Sequence, residues 1–301
     1  AVLINALSTA TMNAGEGWEP IGNATTPFTG NYNGGGFAID TLSINRPAMS
    51  HQGLFGNIVN ATIANVNLTR MNITGSDTTG GLAATARGST IQNCSAAGLV
   101  TGYDNVGILI GVSNFGTVVE QCHTGGAVFA NYYVGGLIGL VDNATVQLSY
   151  SIAGIGGQEG SMGGGLVGIA KNGAIIENCY NAGSVEAYLS GGVVGQVIGA
   201  QIINCYNNGI VSGTFNGYGG LVSDSSSITV SNSYWNTETS GVTVSKGGVG
   251  LLNIKFGKQK TFQGWDFTTV WSIDEFTTYP YLKWQGGPAI HNTPSSHPFS
   301  T

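Results

Sequence analysis

Two acidic residues, Asp77 and Asp104, each lie five positions before the central aliphatic residue of a Gly-rich phrase, Leu82 and Leu109. If those phrases stack on one another, the two carboxyls stand about 5 Å apart, near the separation of a retaining glycosidase pair. The same pair would suit a weak calcium site. The plainer reading is a solvated turn, because Asp suits turns, and nothing in the sequence supplies a groove around the pair. The equivalent position later in the chain holds Tyr132, Ser161, Tyr188 and Asn216, with Tyr103, Tyr133, Phe215 and Tyr218 beside it. Aromatic faces next to Asp and Asn are what a sugar-binding surface uses. Asp104, Tyr132, Tyr133, Tyr188 and Tyr218 are therefore read as a candidate glycan-binding edge.

The four cysteines invite a disulfide reading. They fall, however, at one repeat position: Cys94 and Cys122, then Ser149, then Cys179 and Cys205. Stacked residues sit about 4.8 Å apart, whereas bridged Cβ atoms want about 3.8 Å. An internal ladder of buried free thiols is preferred, and bridges within the column remain an alternative. The column beside it, Asn93, Gln121, Leu148, Asn178, Asn204 and Asn232, reads as a stacked amide ladder interrupted at Leu148. His51, His123, His291 and His297 are scattered, so neither a metal nor another cofactor is expected. Asn-x-Ser/Thr sequons occur at Asn23, Asn60, Asn67, Asn72, Asn93 and Asn143, about as often as chance gives in so Asn-rich a chain. Asn23 and Asn143 are the expected exposed acceptors.

The element that must position all of these is the repeat. Leu54, Leu82, Leu109, Leu137, Leu166, Val193 and Leu221 sit inside near-identical phrases, spaced by 28, 27, 28, 29, 27 and 28 residues. A second phrase keeps step: Asn93-Cys94, Gln121-Cys122, Ser149-Tyr150, Asn178-Cys179-Tyr180, Asn204-Cys205-Tyr206 and Asn232-Ser233-Tyr234. With 50 Gly and a charged fraction of 8%, the unit is a poor helix former. Each unit holds three short β-branched or aliphatic runs bounded by turn residues, the signature of strands. Three strands and three corners describe one coil of a right-handed parallel β-helix. One coil cannot bury its apolar face alone, so coils must stack. Seven coils at about 4.8 Å make a rod roughly 35 Å long. Ile63, Ile91, Val119, Val146, Ile176, Ile202 and Val230 are the candidate core of one face.

Composition narrows the function. A net charge of −6 with nine Lys and Arg argues against nucleic acid. No apolar run approaches the roughly 20 residues of a membrane span. Scarcity of Lys and Glu suits an extracellular or cell-surface β-protein. A chain that begins at Ala1 without a leader-like stretch is expected to be mature or to start inside a longer protein.

The phrase Gly-Gly-Leu-Val-Gly followed by Ile-x-Asn-Cys-Tyr-Asn-x-Gly-x-Val resembles the GLUG motif repeat of bacterial and archaeal surface proteins, best over residues 164–185 and 191–211. The opening stretch around Trp18-Glu19-Pro20-Ile21-Gly22 and the closing stretch from Ser233 through Trp265, Trp271 and Tyr279-Pro280-Tyr281-Leu282 are similar to the ends of such domains. The resemblance covers about residues 15–285. Ile108 in place of Gly, and Leu148-Ser149 in place of Asn-Cys, depart from it. It implies an extracellular adhesin-like module and brings no catalytic residues.

The expected organisation is lead-in coils over 1–50, repeats over 51–234, a Trp-rich cap over 235–285 and a tail or linker over 286–301. Val2, Leu3 and Ile4 form an apolar edge that could pair head to tail with a second copy. The expected partners are thus the chain itself, or surface glycans or proteins. The expected function is a structural or adhesive surface module that is not an enzyme, one form of which assembles end to end into a filament through that edge. The alternative is a carbohydrate-binding or polysaccharide-degrading β-helix protein.

Overall fold

The computed structural model describes residues 6–293, with side chains not placed for 6–8, 214–216 and 290. Val2, Leu3, Ile4 and His297 lie outside the described residues, as do the side chains of Phe215 and Asn216.

The chain winds into a parallel β-solenoid of about seven turns. Among the described residues an eight-stranded sheet carries the three-residue strands from Asn31–Asn33 to Thr229–Ser231. A seven-stranded sheet runs from Phe55–Val59 to Val222–Ser226, and a larger, broken sheet forms the remaining face. Within the stacked coils the ladders are parallel and follow the sequence repeat, with register shifts between Ala96 and Gly98 and between Ala187 and Leu189. Val119, for example, pairs with Ile91 below and Val146 above. In strand Ile175–Glu177 only the central Ile176 is buried, so strict alternation sets which side faces the core. The Leu54 to Leu221 column is buried, as are Ile63, Ile91, Val119, Val146, Ile176 and Ile202. Val230, in the last coil, is only partly buried.

Glycine is required at the bend that opens each aliphatic phrase. A Cβ at Gly164 would lie 1.9 Å from the Val167 carbonyl oxygen, and one at Gly191 would lie 1.8 Å from that of Val194. Ile108, which departs from the Gly pattern, is fully buried and its carbonyl still accepts from Gly81 N at 2.9 Å. The coil is unbroken there.

The four cysteines are buried free thiols. Each Sγ donates to a backbone carbonyl of the preceding coil, as Cys205 does to Ile176 O at 3.5 Å. Burial pushes the Cys122 and Cys179 thiols well up. The asparagine column forms amide bonds on either side of Leu148, but at the surface rather than in the interior. Asn65, Asn93, Gln121, Leu148, Asn178, Asn204 and Asn232 all have φ between 45° and 56°. They form a left-handed corner at the surface, where Asn is favoured because it tolerates that conformation. Their amides join only in short runs, such as Asn204 Nδ2 to Asn178 Oδ1 at 3.3 Å. The interior amide ladder lies three residues further on. Asn181 and Asn207 are fully buried. Asn181 Nδ2 donates to Asn207 Oδ1 at 2.9 Å, and Asn181 Oδ1 accepts from Gly183 N at 3.0 Å.

The cap expected over the last coil is only partly present. Strand Val249–Leu251 pairs with Tyr234–Asn236 and does close the last coil. From 253 the chain instead turns back and runs down the flank of the rod. Its Trp265 Nε1 donates to Asn232 O at 2.7 Å, Trp271 Nε1 to Asn178 Oδ1 at 3.2 Å and Trp284 Nε1 to Leu148 O at 2.8 Å. Beneath it Tyr150, Tyr180 and Tyr206 stack face to face, 4.9 and 5.0 Å apart and within 8° of parallel. His123 stacks below Tyr150 at 5.0 Å. Residues 286–293, expected to be tail, are part of this strap. Asn292 is buried, its Nδ2 donating to Tyr206 OH at 3.3 Å, and His291 Nε2 lies 2.7 Å from Tyr180 OH.

The opposite end is not bare either. Helix Ala6–Thr11 packs against strand Ser43–Asn45, and the hydroxyl of buried Thr9 donates to Thr41 O at 3.2 Å.

Candidate functional site

The corner that follows the broken sheet is where the sequence places chemistry. Asp77 and Asp104 do come onto adjacent coils: Thr78 N donates to Asp104 O at 2.8 Å, and His51 N to Asp77 O at 3.0 Å. Asp77 is exposed and Asp104 half-buried. Burial raises the Asp104 carboxyl, with a smaller push from the Asp77 charge. Asp104 Oδ1 accepts from Asn105 N at 2.8 Å, so the carboxylate braces its own turn. Among the described residues no group of three His, Cys, Asp or Glu side chains is placed to hold a metal ion.

The strand register stacks these positions coil on coil, Tyr133 on Met162, Met162 on Leu189 and Leu189 on Gly217, but the aromatic residues differ in exposure. Tyr103 and Tyr132, on neighbouring coils, are 48% and 46% exposed and meet edge to face at 5.4 Å. Tyr133 and Tyr188 are half-buried. Tyr218, on the coil next to Tyr188, borders a cavity of about 500 Å³ lined also by Leu189, Asp224, Val244 and Lys246.

A second feature of this corner is absent from that reading. Phe129 stands in register with Thr101 below it and Gly156 above it, and Gly156 with Glu186. Phe129 is 48% exposed. A Cβ at Gly156 would sit 2.5 Å from two adjacent Phe129 ring carbons, so one edge of the ring fills the space that the glycine leaves. Around it opens a groove of about 280 Å³ lined by Thr101, Phe129, Asn131, Gly157, Gln158 and Glu186, among others. The sequence does carry a signal for it, an outward-facing aromatic below a glycine in the next coil. That signal lies in the strand before the corner, outside the column in which the aromatic residues recur.

Asn23 and Asn143 are both exposed. Asn23 Oδ1 accepts from Thr25 N and Thr26 N, each at 2.9 Å, and Asn143 has φ 49°.

No family's sequence model matches the chain, so the GLUG likeness rests on the quoted residues alone. The chain is similar to halomucin of Haloquadratum walsbyi, with 32% identity over 297 residues that cover 93% of this chain and 3% of halomucin. It thus spans about 3% of the length of that relative. This likeness supports a β-helix of the cell-surface type. A solved chain of IgA1 protease shares the fold, with a TM-score of 0.57 at 17% identity over 86% of this chain and 21% of that one. That finding overturns the expectation that the chain is not an enzyme, because the same coil architecture occurs in a protein named as a protease. At this identity it establishes the fold and carries no catalytic residue across.

Proposed function

We propose that the chain is an extracellular module of a cell-surface protein, serving as a rigid and adhesive spacer. The observation that carries this reading is the halomucin likeness, which runs over 93% of the chain rather than over one motif. Continuous parallel ladders from coil to coil make the module stiff along its axis, since each coil is hydrogen-bonded to the next. Its outward surface is rich in Asn, Ser and Thr and carries a net charge of −6, which suits exposure to solvent. Asn23 and Asn143 are the acceptor positions proposed for glycosylation where the producing cell has the machinery.

Gold-conjugated antibody applied to intact producing cells tests the location. Label on unpermeabilised cells is the expected result. Label that requires permeabilisation overturns the reading.

A further inference from the structure

The geometry points to the Phe129 groove as a binding site for a neutral pyranose oligosaccharide, with Phe129 as the stacking platform and Asn131, Gln158 and Glu186 as hydroxyl partners. The inference builds on the adhesive reading of the module and names what it would grip. Its first support is the platform. Gly156 leaves room that one edge of the Phe129 ring occupies, so the ring is held in place while the residue stays 48% exposed. A flat aromatic face takes up the C–H face of a sugar ring and buries it from water. The second support is unspent hydrogen-bonding capacity. Asn131, Gln158 and Glu186 all line the groove, and none has a side-chain hydrogen bond or ion pair among the described residues. Polar groups converging beside one aromatic wall are the usual makeup of a small-ligand site.

The lining also selects the class of sugar. No Lys or Arg lines the groove, and Glu186 gives it a negative charge. Uronates and sulfated sugars would meet like charge with no counterion, whereas neutral and N-acetylated sugars offer hydroxyl and amide donors to the Glu186 carboxylate. The volume, about 280 Å³, holds one or two rings and no larger ligand. Longer chains have a place to continue. Asn131 N and Tyr132 N both donate to Tyr103 O, at 2.9 and 3.2 Å, so the groove and the Tyr103–Tyr132 ring pair share one turn.

The test is isothermal titration of the full chain with cellohexaose, mannohexaose and chitohexaose, and with trigalacturonate as the acidic comparator. Saturable binding of at least one neutral probe is expected, weakened about tenfold or more by Phe129→Ala and by Glu186→Gln. Trigalacturonate is expected to bind at least about tenfold more weakly than that probe. Phe129→Leu, which keeps bulk without the aromatic face, is expected to fall with Phe129→Ala. Absence of binding by all three neutral probes, affinity unchanged in Phe129→Ala, or equal affinity for trigalacturonate each overturns the inference. Thermal unfolding of each variant, expected to match wild type, separates loss of site from loss of fold. Surface labelling is independent of the groove, so either conclusion can fail while the other stands.

Discussion

The stacked rings of Tyr150, Tyr180 and Tyr206 and the ring pair of Tyr103 and Tyr132 come from the same repeat, yet only the first set is covered. In both, coil spacing brings aromatic residues to about 5 Å. Over the first set lies the returning strap, which satisfies the buried hydroxyls: Tyr206 OH donates to Pro280 O at 2.7 Å, and Gln285 Nε2 donates to Tyr180 OH at 2.9 Å. Over the second set lies nothing from the described residues, and both rings stay almost half exposed. The repeat thus decides where rings meet. A segment outside the repeat decides whether they are core or surface.

The comparison is broken most severely at Trp271. This ring is fully buried, stacks on Trp265 at 4.3 Å and lies against Tyr180 and Tyr206. Trp271→Ala is expected to cost about 3–5 kcal/mol in urea unfolding. Cooperative loss of the stacked tyrosines' near-UV dichroism should accompany it. A change within about 0.5 kcal/mol would show that the strap adds little to the rod.

Acid should loosen the same cover reversibly. Burial, and then the nearby His123, hold the His291 imidazole at about 4 instead of 6.5. The folded chain therefore resists a proton that the unfolded chain takes up below about pH 6.5. The strap's contribution is complete above that pH and is lost as pH falls toward about 4, and burial of His123 acts in the same direction. Urea titrations at about pH 7.5 and about pH 4.5 should show a lower midpoint in acid, with a smaller gap in His291→Gln. Equal gaps in the two proteins would remove His291 from this account.

Much of this architecture is legible in the sequence. The period, the buried aliphatic columns and the cysteine ladder all follow from like residues meeting like at a fixed spacing. Asn178 and Asn181 show the limit. Both are Asn in one phrase, three residues apart. A count of stacked amides cannot tell the left-handed corner from the inward strand position, so the sequence finds the surface column and misses the buried Asn181–Asn207 pair three residues further on.

The bare pair should respond weakly. Tyr132→Ala removes one edge-to-face contact at the surface and is expected to cost about 0.5–1.5 kcal/mol, well below Trp271→Ala. A cost equal to that of Trp271→Ala would mean that the exposed corner is structural. The smallest effect is a gain. Ser227 has φ 54° and is exposed, one residue beyond the Ile198–Ser226 pair, where the preceding coil has Gly199 at φ 63°. Ser227→Gly is expected to relieve backbone strain and raise stability by up to about 1 kcal/mol in the same unfolding assay. Destabilisation would show that the chain entropy of glycine outweighs the strain.

The sequence by itself determined the register of this protein. A repeat of about 28 residues makes each coil the template for the next, so one local rule, applied seven times, sets the core, the Gly bends and the thiol column. The tertiary structure alone decided the path of residues 253–293. That segment has no periodic partner, and its tryptophans could as well have closed the end of the rod as covered its side. The side won because Tyr150, Tyr180, Tyr206 and Tyr234 offer a continuous apolar column with hydroxyls to satisfy, whereas strand Val249–Leu251 had already closed the last coil. The same lack of a periodic signal hid the Phe129 groove, which exists only where an aromatic in one coil meets a glycine in the next.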